Sequence, residues 1–171
     1  VEQNILGNTI ILESCRKAKI KRYIFASSIY VYSDVGDFYR ISKQACENYI
    51  EIYNKVFGLN FTILRYGIPY GPRARGGTVL PIFVRLAMEG KPLTIQGDGS
   101  AHRKFIYVED LADGNVAAIS PEAANQVLNL EGPRNISVKE VADVVNELFN
   151  GKVEINYVEA RPGDYKGKVV S

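Results

Sequence analysis

The fold is decided by residues 23–66, which read YIFASSIYVYSDVGDFYRISKQACENYIEIYNKVFGLNFTILRY. Two short apolar segments at its ends, Tyr23–Ser28 and Phe61–Tyr66, have the length and the β-branched and aromatic content of buried strands. Between them, residues 39–57 place apolar side chains at helical spacing, and Gly58 follows, a residue type common directly after a helix. A strand, a helix and a strand in this order imply parallel strands joined by a crossover. We therefore predict an α/β protein built on a doubly wound parallel sheet.

Further elements are predicted on both sides of this stretch. A helix over residues 5–18 precedes it, and glycine and proline are concentrated in residues 67–77, which we interpret as a loop. The later elements are a helix over 81–89, strands over 92–95, 105–108 and 127–130, a helix over 109–119, and a last helix that ends at 149. That last helix begins with a predicted capping box, because Ser137 is followed three residues later by Glu140.

The composition excludes several classes of function. The chain of 171 residues has 21 basic and 19 acidic side chains and a formal net charge of +2, whereas proteins that bind nucleic-acid phosphates carry a marked basic excess. No window approaches the roughly eighteen apolar residues of a membrane-spanning helix, so we predict no membrane partner and a cytoplasmic location. Cys15, Cys46 and the single His102 cannot make the usual four-ligand zinc site. No metal is predicted, and both cysteines are expected to be free thiols.

Hydroxyl, phenol and ammonium groups lie close together along the chain after the first predicted strand. Ser27 and Ser28 end that strand, and Tyr39 and Lys43 lie four residues apart on the following helix, so their side chains share one face. An isolated tyrosine has a pKa of about 10, and a fixed positive charge nearby favours its phenolate form. Ligands of a doubly wound sheet bind beyond the carboxyl ends of the strands, where Ser28 is expected. The set favours acid–base chemistry, although Tyr-x-x-x-Lys alone is more often a plain surface pair.

Five segments carry a resemblance to a known family. They are ASSIYVY (26–32), YRISK (39–43), LRY (64–66), YGPR (70–73), and GDGS (97–100) through RKFIYVED (103–110). Together they resemble the extended short-chain dehydrogenase/reductases, in particular the NAD-dependent sugar-nucleotide epimerases and dehydratases of the UDP-glucose 4-epimerase type. The resemblance implies that residues 1–68 are the later part of a dinucleotide-binding domain with a partial Rossmann-like sheet. Residues 69–171 are then mostly a smaller α/β substrate-binding domain, with 104–120 packing back on the first.

The resemblance also implies roles for individual residues. Tyr39 is the catalytic base, Lys43 is its electrostatic partner and a ligand of the nicotinamide ribose, and Ser28 is the hydrogen-bonding partner of the reacting hydroxyl. The implied contacts to the cofactor NAD come from Tyr39, Lys43, Ser27 and Tyr66. The nucleotide sugar, in the first place a UDP-sugar, is expected to contact Ser28, Arg73 and Arg103, with Arg103 holding its diphosphate.

The implied reaction is epimerisation through a 4-keto intermediate. Tyr39 takes the proton of the sugar C4 hydroxyl, a hydride passes to NAD⁺, and the ketone turns over before the hydride returns to its other face. Related dehydratases and decarboxylases place an acidic residue at the positions that hold Ile29 and Tyr30 here. Because neither residue is acidic, epimerisation is favoured, and dehydration or reduction of a nucleotide sugar remains the sibling alternative.

The sequence departs from the family pattern in three ways. It contains no Gly-x-Gly-x-x-Gly or Gly-x-x-Gly-x-x-Gly turn to cradle a pyrophosphate, Ile68 stands where the epimerases usually have an asparagine, and the connection from Tyr32 to Tyr39 is short. We expect that parts of a larger enzyme are absent from this sequence, with a naturally truncated protein as the other explanation. The chain as given is expected to bind NAD poorly. A non-catalytic binding or oligomerisation module of the same fold is the alternative.

The resemblance further implies a homodimer. The helix that begins near Ile5 and the helix that begins at Tyr39 are expected to pair with their counterparts in a second copy and form a four-helix bundle.

Overall fold

The computed structural model describes residues 1–33, 38–74 and 76–160 and divides them between two compact units. The first unit holds residues 1–67 and 109–131, and the second holds 68–108 together with the chain from 132 onward. The sequence-based boundaries were 1–68 and 69–171 with a return over 104–120. In the structure the segment that belongs with the first unit begins at 109 and runs on to 131. The roles of these units in binding cofactor and substrate stay predictions.

The first unit is a three-stranded parallel sheet with helices on it. Its strands β1 (Tyr23–Ser28), β2 (Phe61–Tyr66) and β7 (Gln126–Leu130) lie in the order β1-β2-β7. The helices are α1 (Gly7–Lys17), α2 (Phe38–Phe57) and α4, which begins at Val108 and ends at Ala117. The predicted α/β class with a parallel sheet is therefore confirmed.

The core of the first unit lies under α1 and α2. Its members are large apolar side chains of both helices, of the sheet face that they cover and of the connection from α2 to β2, together with one thiol; they are Leu12, Phe25, Cys46, Ile50, Leu59, Phe61 and Ile63. On the opposite face, α4 lies close to the end of β7, since a methyl group added at Gly114 would meet the Leu130 side chain at 2.9 Å. Burial of apolar surface on both faces fixes the sheet between its helices.

The helix α1 differs from its prediction at its beginning. A π-helical turn, Glu2–Leu6, precedes the regular helix, whereas the periodicity predicted one helix from residue 5. The wider turn makes the Asn4 carbonyl available to the Cys46 thiol, which donates a hydrogen bond to it over 3.2 Å.

The end of α2 agrees with its prediction. Gly58, which follows this helix, has the left-handed φ of +70° expected of a residue that ends a helix.

The second unit contains α3 (Val79–Met88), α5 (Val138–Leu148) and three pairs of short strands. The strands are β3 (Ile68–Tyr70) with β6 (Phe105–Tyr107), β4 (Leu93–Gln96) with β9 (Ile155–Val158), and β5 (His102–Arg103) with β8 (Ile136–Ser137). Its core consists of Phe83, Ala87, Leu93, Ile95, Phe105, Val141, Ala142 and Val145. The capping box at Ser137 and Glu140 is present, which confirms the predicted start of α5.

One expectation about this unit is wrong. Residues 67–77 were interpreted as a loop, but Ile68–Tyr70 form β3 and pair in parallel with β6. Pro69 is compatible with this strand because the described residues pair β3 with β6 alone, so its missing N–H leaves no ladder bond unmade on the other edge. Within the described ranges, no helix is long and apolar enough to cross a membrane.

Candidate active site

The first turns of α2 place Tyr39 and Lys43 on one face of the helix, beside β1. The Lys43 Nζ lies 5.8 Å from the centre of the Tyr39 ring and 4.7 Å from the centre of the Phe25 ring. It also donates a hydrogen bond of 2.7 Å to the backbone carbonyl of Ala26. The half-buried ammonium is therefore held between the phenol of its own helix and the end of the neighbouring strand.

Ser28 lies at the carboxyl end of β1 and is buried. Its hydroxyl oxygen accepts a hydrogen bond of 3.3 Å from the backbone N–H of Tyr30, which caps the 3-10 turn Ile29–Tyr32. The ring of Tyr30 in turn meets the ring of Tyr39 edge-on, with 6.4 Å between the ring centres. The 3-10 turn and the strand end thus bring the three predicted catalytic residues, Ser28, Tyr39 and Lys43, to one corner of the first unit.

Burial sets the electrostatics of this corner. Removal from water lowers the pKa of the Lys43 ammonium below its ordinary value, while the neighbouring Cys46 and Glu47 act in the opposite direction. A lowered pKa brings the loss of this charge closer to neutral pH, so the positive field at Tyr39 depends on pH. The arrangement can exchange a proton with a bound hydroxyl group and places a cation beside the phenol.

Two further residues were predicted to contact a cofactor, and both lie on the same sheet. The Ser27 side chain is buried and donates its hydroxyl proton to Glu47 Oε1 over 2.5 Å. Tyr66 pairs in register with Ser28 across the two strands, and its hydroxyl donates to Asn115 Oδ1 of α4 over 2.5 Å. Both side chains are therefore engaged within the protein, and their contact with a cofactor stays a prediction.

The two arginines predicted to bind substrate belong to the second unit. Arg73 is exposed, with a left-handed φ of +64°, and borders an open groove of about 680 Å³ that Tyr70 and Arg85 also line. Arg103 ends the short strand β5 and is half-buried, and its Nη1 donates 2.9 Å to the carbonyl of His102. Gly76 and Gly77, which belong to the same glycine-rich stretch, are exposed.

Residues that the sequence did not single out support the corner. The Asn4 amide donates 2.8 Å to Ser42 Oγ, and the Ser42 hydroxyl donates 2.7 Å to the backbone carbonyl of Tyr39. Glu47 and Arg65 form an ion pair beneath Ser27. For Glu47 a local signal exists, since residues 39, 43 and 47 share one helical face, but the pairing with Arg65 depends on strand register.

The described ranges contain no group of three or more His, Cys, Asp and Glu side chains that could hold a metal ion. The two cysteines are free thiols in the structure, Cys46 buried and Cys15 half-buried. Burial raises the pKa of both thiols, so neither has the lowered pKa of a reactive cysteine.

Comparison with known sequences identifies the relatives of this chain. A sequence model of the NAD-dependent epimerase/dehydratase family matches residues 1–130. A UDP-glucuronate 4-epimerase from Thermodesulfobacterium geofontis is 27% identical over 180 residues, which are 97% of this chain and 55% of that protein. A UDP-N-acetyl-alpha-D-glucosaminuronate decarboxylase from Bacillus cytotoxicus is 32% identical over 179 residues, which are 92% of this chain and 55% of the decarboxylase.

Comparison with solved structures confirms the Rossmann-type fold. The UDP-glucose 4-epimerase of Thermotoga maritima, solved with UDP-glucose, superposes with a TM-score of 0.89 at 28% sequence identity. The match covers 99% of this chain and 60% of the epimerase chain. The chain thus spans little more than half the length of the curated relatives it matches.

Proposed function

Because the chain belongs to the NAD-dependent epimerase/dehydratase family, we propose that the intact protein is an enzyme that epimerises a nucleotide sugar at C4. The substrate is a UDP-sugar of the UDP-glucose and UDP-galactose type, and the cofactor is NAD. The observation that carries this proposal is the corner at the end of β1, where a buried hydroxyl, a phenol and a half-buried ammonium converge.

The residues of this corner suit the nicotinamide half of NAD. The Lys43 ammonium has three N–H donors and gives one of them to the Ala26 carbonyl, which leaves capacity for ribose hydroxyls. The Tyr39 ring and the carbonyl of Ala26, the residue before Ser27, lie beside the same ammonium. Bound NAD⁺ supplies the hydride-accepting chemistry that no amino-acid side chain supplies.

The chain's own residues manage the proton. Tyr39 is assigned the uptake of the proton of the sugar C4 hydroxyl, and the Lys43 ammonium lies 5.8 Å from the centre of its ring. The Ser28 hydroxyl, anchored by Tyr30 N–H, accepts from or donates to the same substrate oxygen and orients it. The proton then returns from Tyr39 to the C4 oxygen when the alcohol of the opposite configuration forms.

The turn after Ser28 supports epimerisation over elimination. Ile29 and Tyr30 bear no acid, and Tyr30 packs its ring against Tyr39. The family resemblance implies an acidic residue at this place in dehydratases and decarboxylases. A decarboxylase is as similar to this chain in sequence as the epimerases are. The test therefore includes identification of the product.

Recognition of the diphosphate is assigned to Arg73 and Arg103 of the second unit. Guanidinium groups match phosphate oxygens in charge and geometry. Ile68, which stands where the resembling epimerases have an asparagine, lies in β3 and packs against the core of the second unit. The diphosphate contact of that asparagine is therefore missing, and the arginines carry more of the binding.

The proposal includes a homodimer in the cytoplasm. Apolar side chains on the outer surfaces of α1 and α2 are exposed, among them Ile10, Ile41, Ile52 and Val56. Exposed apolar side chains on two neighbouring helices are what a helix-bundle interface with a second copy would cover.

The experiment compares the intact protein with two phenylalanine variants. Tyr39→Phe removes the proposed base, and Tyr49→Phe is the matched control because it lies on the same helix with 44% exposure against 43% for Tyr39. With UDP-glucose and NAD, we expect at least a hundredfold lower turnover for Tyr39→Phe, in line with loss of a general base, and unchanged turnover for Tyr49→Phe. Proton NMR of the mixture identifies the product.

Three results count against the proposal. Equal turnover of wild type and Tyr39→Phe excludes Tyr39 as the base. A dehydrated or decarboxylated product shows that the enzyme is a dehydratase or a decarboxylase and not an epimerase. An intact protein that binds a UDP-sugar without converting it supports the non-catalytic alternative.

A further inference from the structure

A buried ion pair lies directly beneath the candidate active site. Arg65 of β2 bonds both oxygens of the Glu47 carboxylate, with Nε 3.1 Å from Oε1 and Nη2 2.6 Å from Oε2. The side chains are 20% and 7% exposed, respectively. The free energy lost when two such charges leave water is similar to the free energy gained from their attraction. A buried pair of this kind is therefore weak evidence of a purely stabilising role.

Each member of the pair also holds another element of the first unit. Glu47 accepts the hydroxyl proton of Ser27 at the end of β1 over 2.5 Å. Arg65 Nη1 donates 2.7 Å to the hydroxyl of Tyr32 in the 3-10 turn, and that hydroxyl donates 3.0 Å to Asn129 Oδ1 of β7. The pair therefore connects α2 to all three strands and to the turn that follows Ser28.

The connection fixes the register of α2 along β1. Glu47 follows Lys43 by one helical turn, and the two side chains bond consecutive residues of the strand, Lys43 to Ala26 and Glu47 to Ser27. The next residue of the strand is Ser28. A shift of the helix by one residue would break both bonds and move Tyr39 away from Ser28.

We propose that Glu47 and Arg65 are positioning residues that hold Tyr39 and Lys43 against Ser28 and set the charge that the Lys43 ammonium experiences. This inference rests on the proposed function, because it concerns the same three residues. Neither side chain needs to touch substrate or cofactor: Glu47 acts through Lys43 and Ser27, and Arg65 acts by neutralising and orienting Glu47.

The surroundings of Lys43 define which charges can act on it. On its own helix they are Tyr39, Cys46 and Glu47, and Arg65 of β2 lies beyond Glu47. From β1 the contacts are the Phe25 ring and a carbonyl, and Tyr30 of the 3-10 turn reaches the other side of Tyr39. Glu47 is the carboxylate in this set, and its attraction opposes the lowering of the Lys43 pKa by burial.

The test follows the titration of Lys43 itself and needs no turnover. Protein labelled with ¹³C-lysine is titrated by NMR, with Lys43→Arg used to assign the signal. Glu47→Gln removes the carboxylate and leaves the Arg65 cation, so the Lys43 midpoint is expected to fall by about one pH unit. Glu47→Asp keeps the charge and is expected to keep the midpoint within a few tenths of a unit.

The matched control is the Glu13–Arg16 pair of α1, which has the same chemistry and a similar bidentate geometry but is 36% and 37% exposed. Glu13→Gln is expected to leave the Lys43 midpoint unchanged. A Glu47→Gln variant that loses thermal stability while Lys43 titrates as in wild type overturns the inference, because the pair is then merely structural.

Arg65→Lys keeps the test decisive if Glu47→Gln does not fold. Lysine retains the positive charge but cannot bond both carboxylate oxygens and Tyr32 in one plane. In the intact enzyme we expect kcat to fall about tenfold with KM unchanged, and unchanged kcat overturns the inference. If wild type shows no turnover of any UDP-sugar, the proposed function is wrong. The Lys43 titration, which needs no turnover, still tests whether Glu47 and Arg65 act on Lys43.

Discussion

At the scale of single residues, the half-buried ammonium of Lys43 couples folding to pH. Burial lowers its pKa in the folded chain, whereas the unfolded chain titrates near the ordinary value of about 10.5. Between these two values the unfolded state binds more protons than the folded state. The free energy of unfolding therefore rises with pH across this window, and the burial penalty disappears above it.

The prediction is measured as a difference between wild type and Lys43→Met. Urea unfolding from pH 8 to pH 11 is expected to show wild type gaining stability relative to the variant as the pH rises. Lys55→Met, an exposed lysine near the end of the same helix, is the control and should show no such trend. A constant or falling difference for Lys43→Met would mean that the ammonium is not desolvated.

The residues of the candidate site divide into those that local spacing predicts and those that it does not. Tyr39 and Lys43 are predicted because four-residue spacing on a helix is a local property, and Ser28 because it ends a recognisable strand. Arg65 could not be predicted, since its contact with Glu47 exists only when β2 pairs with β1 so that Ser27 lies opposite Arg65. A one-residue change of that register would turn Arg65 to the other face of the sheet.

At the scale of elements, the start of α5 offers a test of local energetics. Ser137 Oγ accepts from the Glu140 N–H over 3.0 Å, and Glu140 Oε2 accepts from the Ser137 N–H over 2.6 Å. Ser137→Ala is expected to lower the free energy of unfolding of the second unit by about 1 kcal/mol.

The control for this cap is Thr78, which precedes α3 in the same unit and makes no side-chain capping bond. Thr78→Ala is expected to cost clearly less than Ser137→Ala in urea unfolding followed by circular dichroism. Equal costs for both substitutions would show that the capping bonds contribute nothing at Ser137.

Elements with a long periodic pattern were predictable, and several of the shortest ones were not. The helix α2 was expected over 39–57 and spans Phe38–Phe57, because twenty residues of amphipathic pattern outweigh local ambiguity. The strands β3, β5 and β8 have two or three residues each, too few for an alternating pattern to appear. They form because each pairs with another strand of the second unit. Pro69 alone would predict that residues 68–70 are not a strand.

At the scale of the whole molecule, the outer surfaces of α1 and α2 predict self-association. Ile52→Glu places a charge in the proposed interface and is expected to convert a dimer into a monomer in sedimentation at micromolar concentration, because a buried unpaired charge opposes association. Val144→Glu on α5 is the control, since Val144 has almost the same exposure, 53% against 51% for Ile52. A wild-type monomer, or dissociation by both variants alike, contradicts the predicted bundle.

The central claim is that the intact protein inverts C4 of a UDP-sugar through a 4-keto intermediate, with Tyr39 as the base. The most direct measurement is proton NMR of UDP-glucose labelled with deuterium at C4, incubated with the intact protein and NAD in ordinary water. We predict UDP-galactose that retains the deuterium at C4, because the hydrogen that leaves the carbon is the one that returns to it. Product with solvent hydrogen at C4, or no epimer at all, would contradict the account.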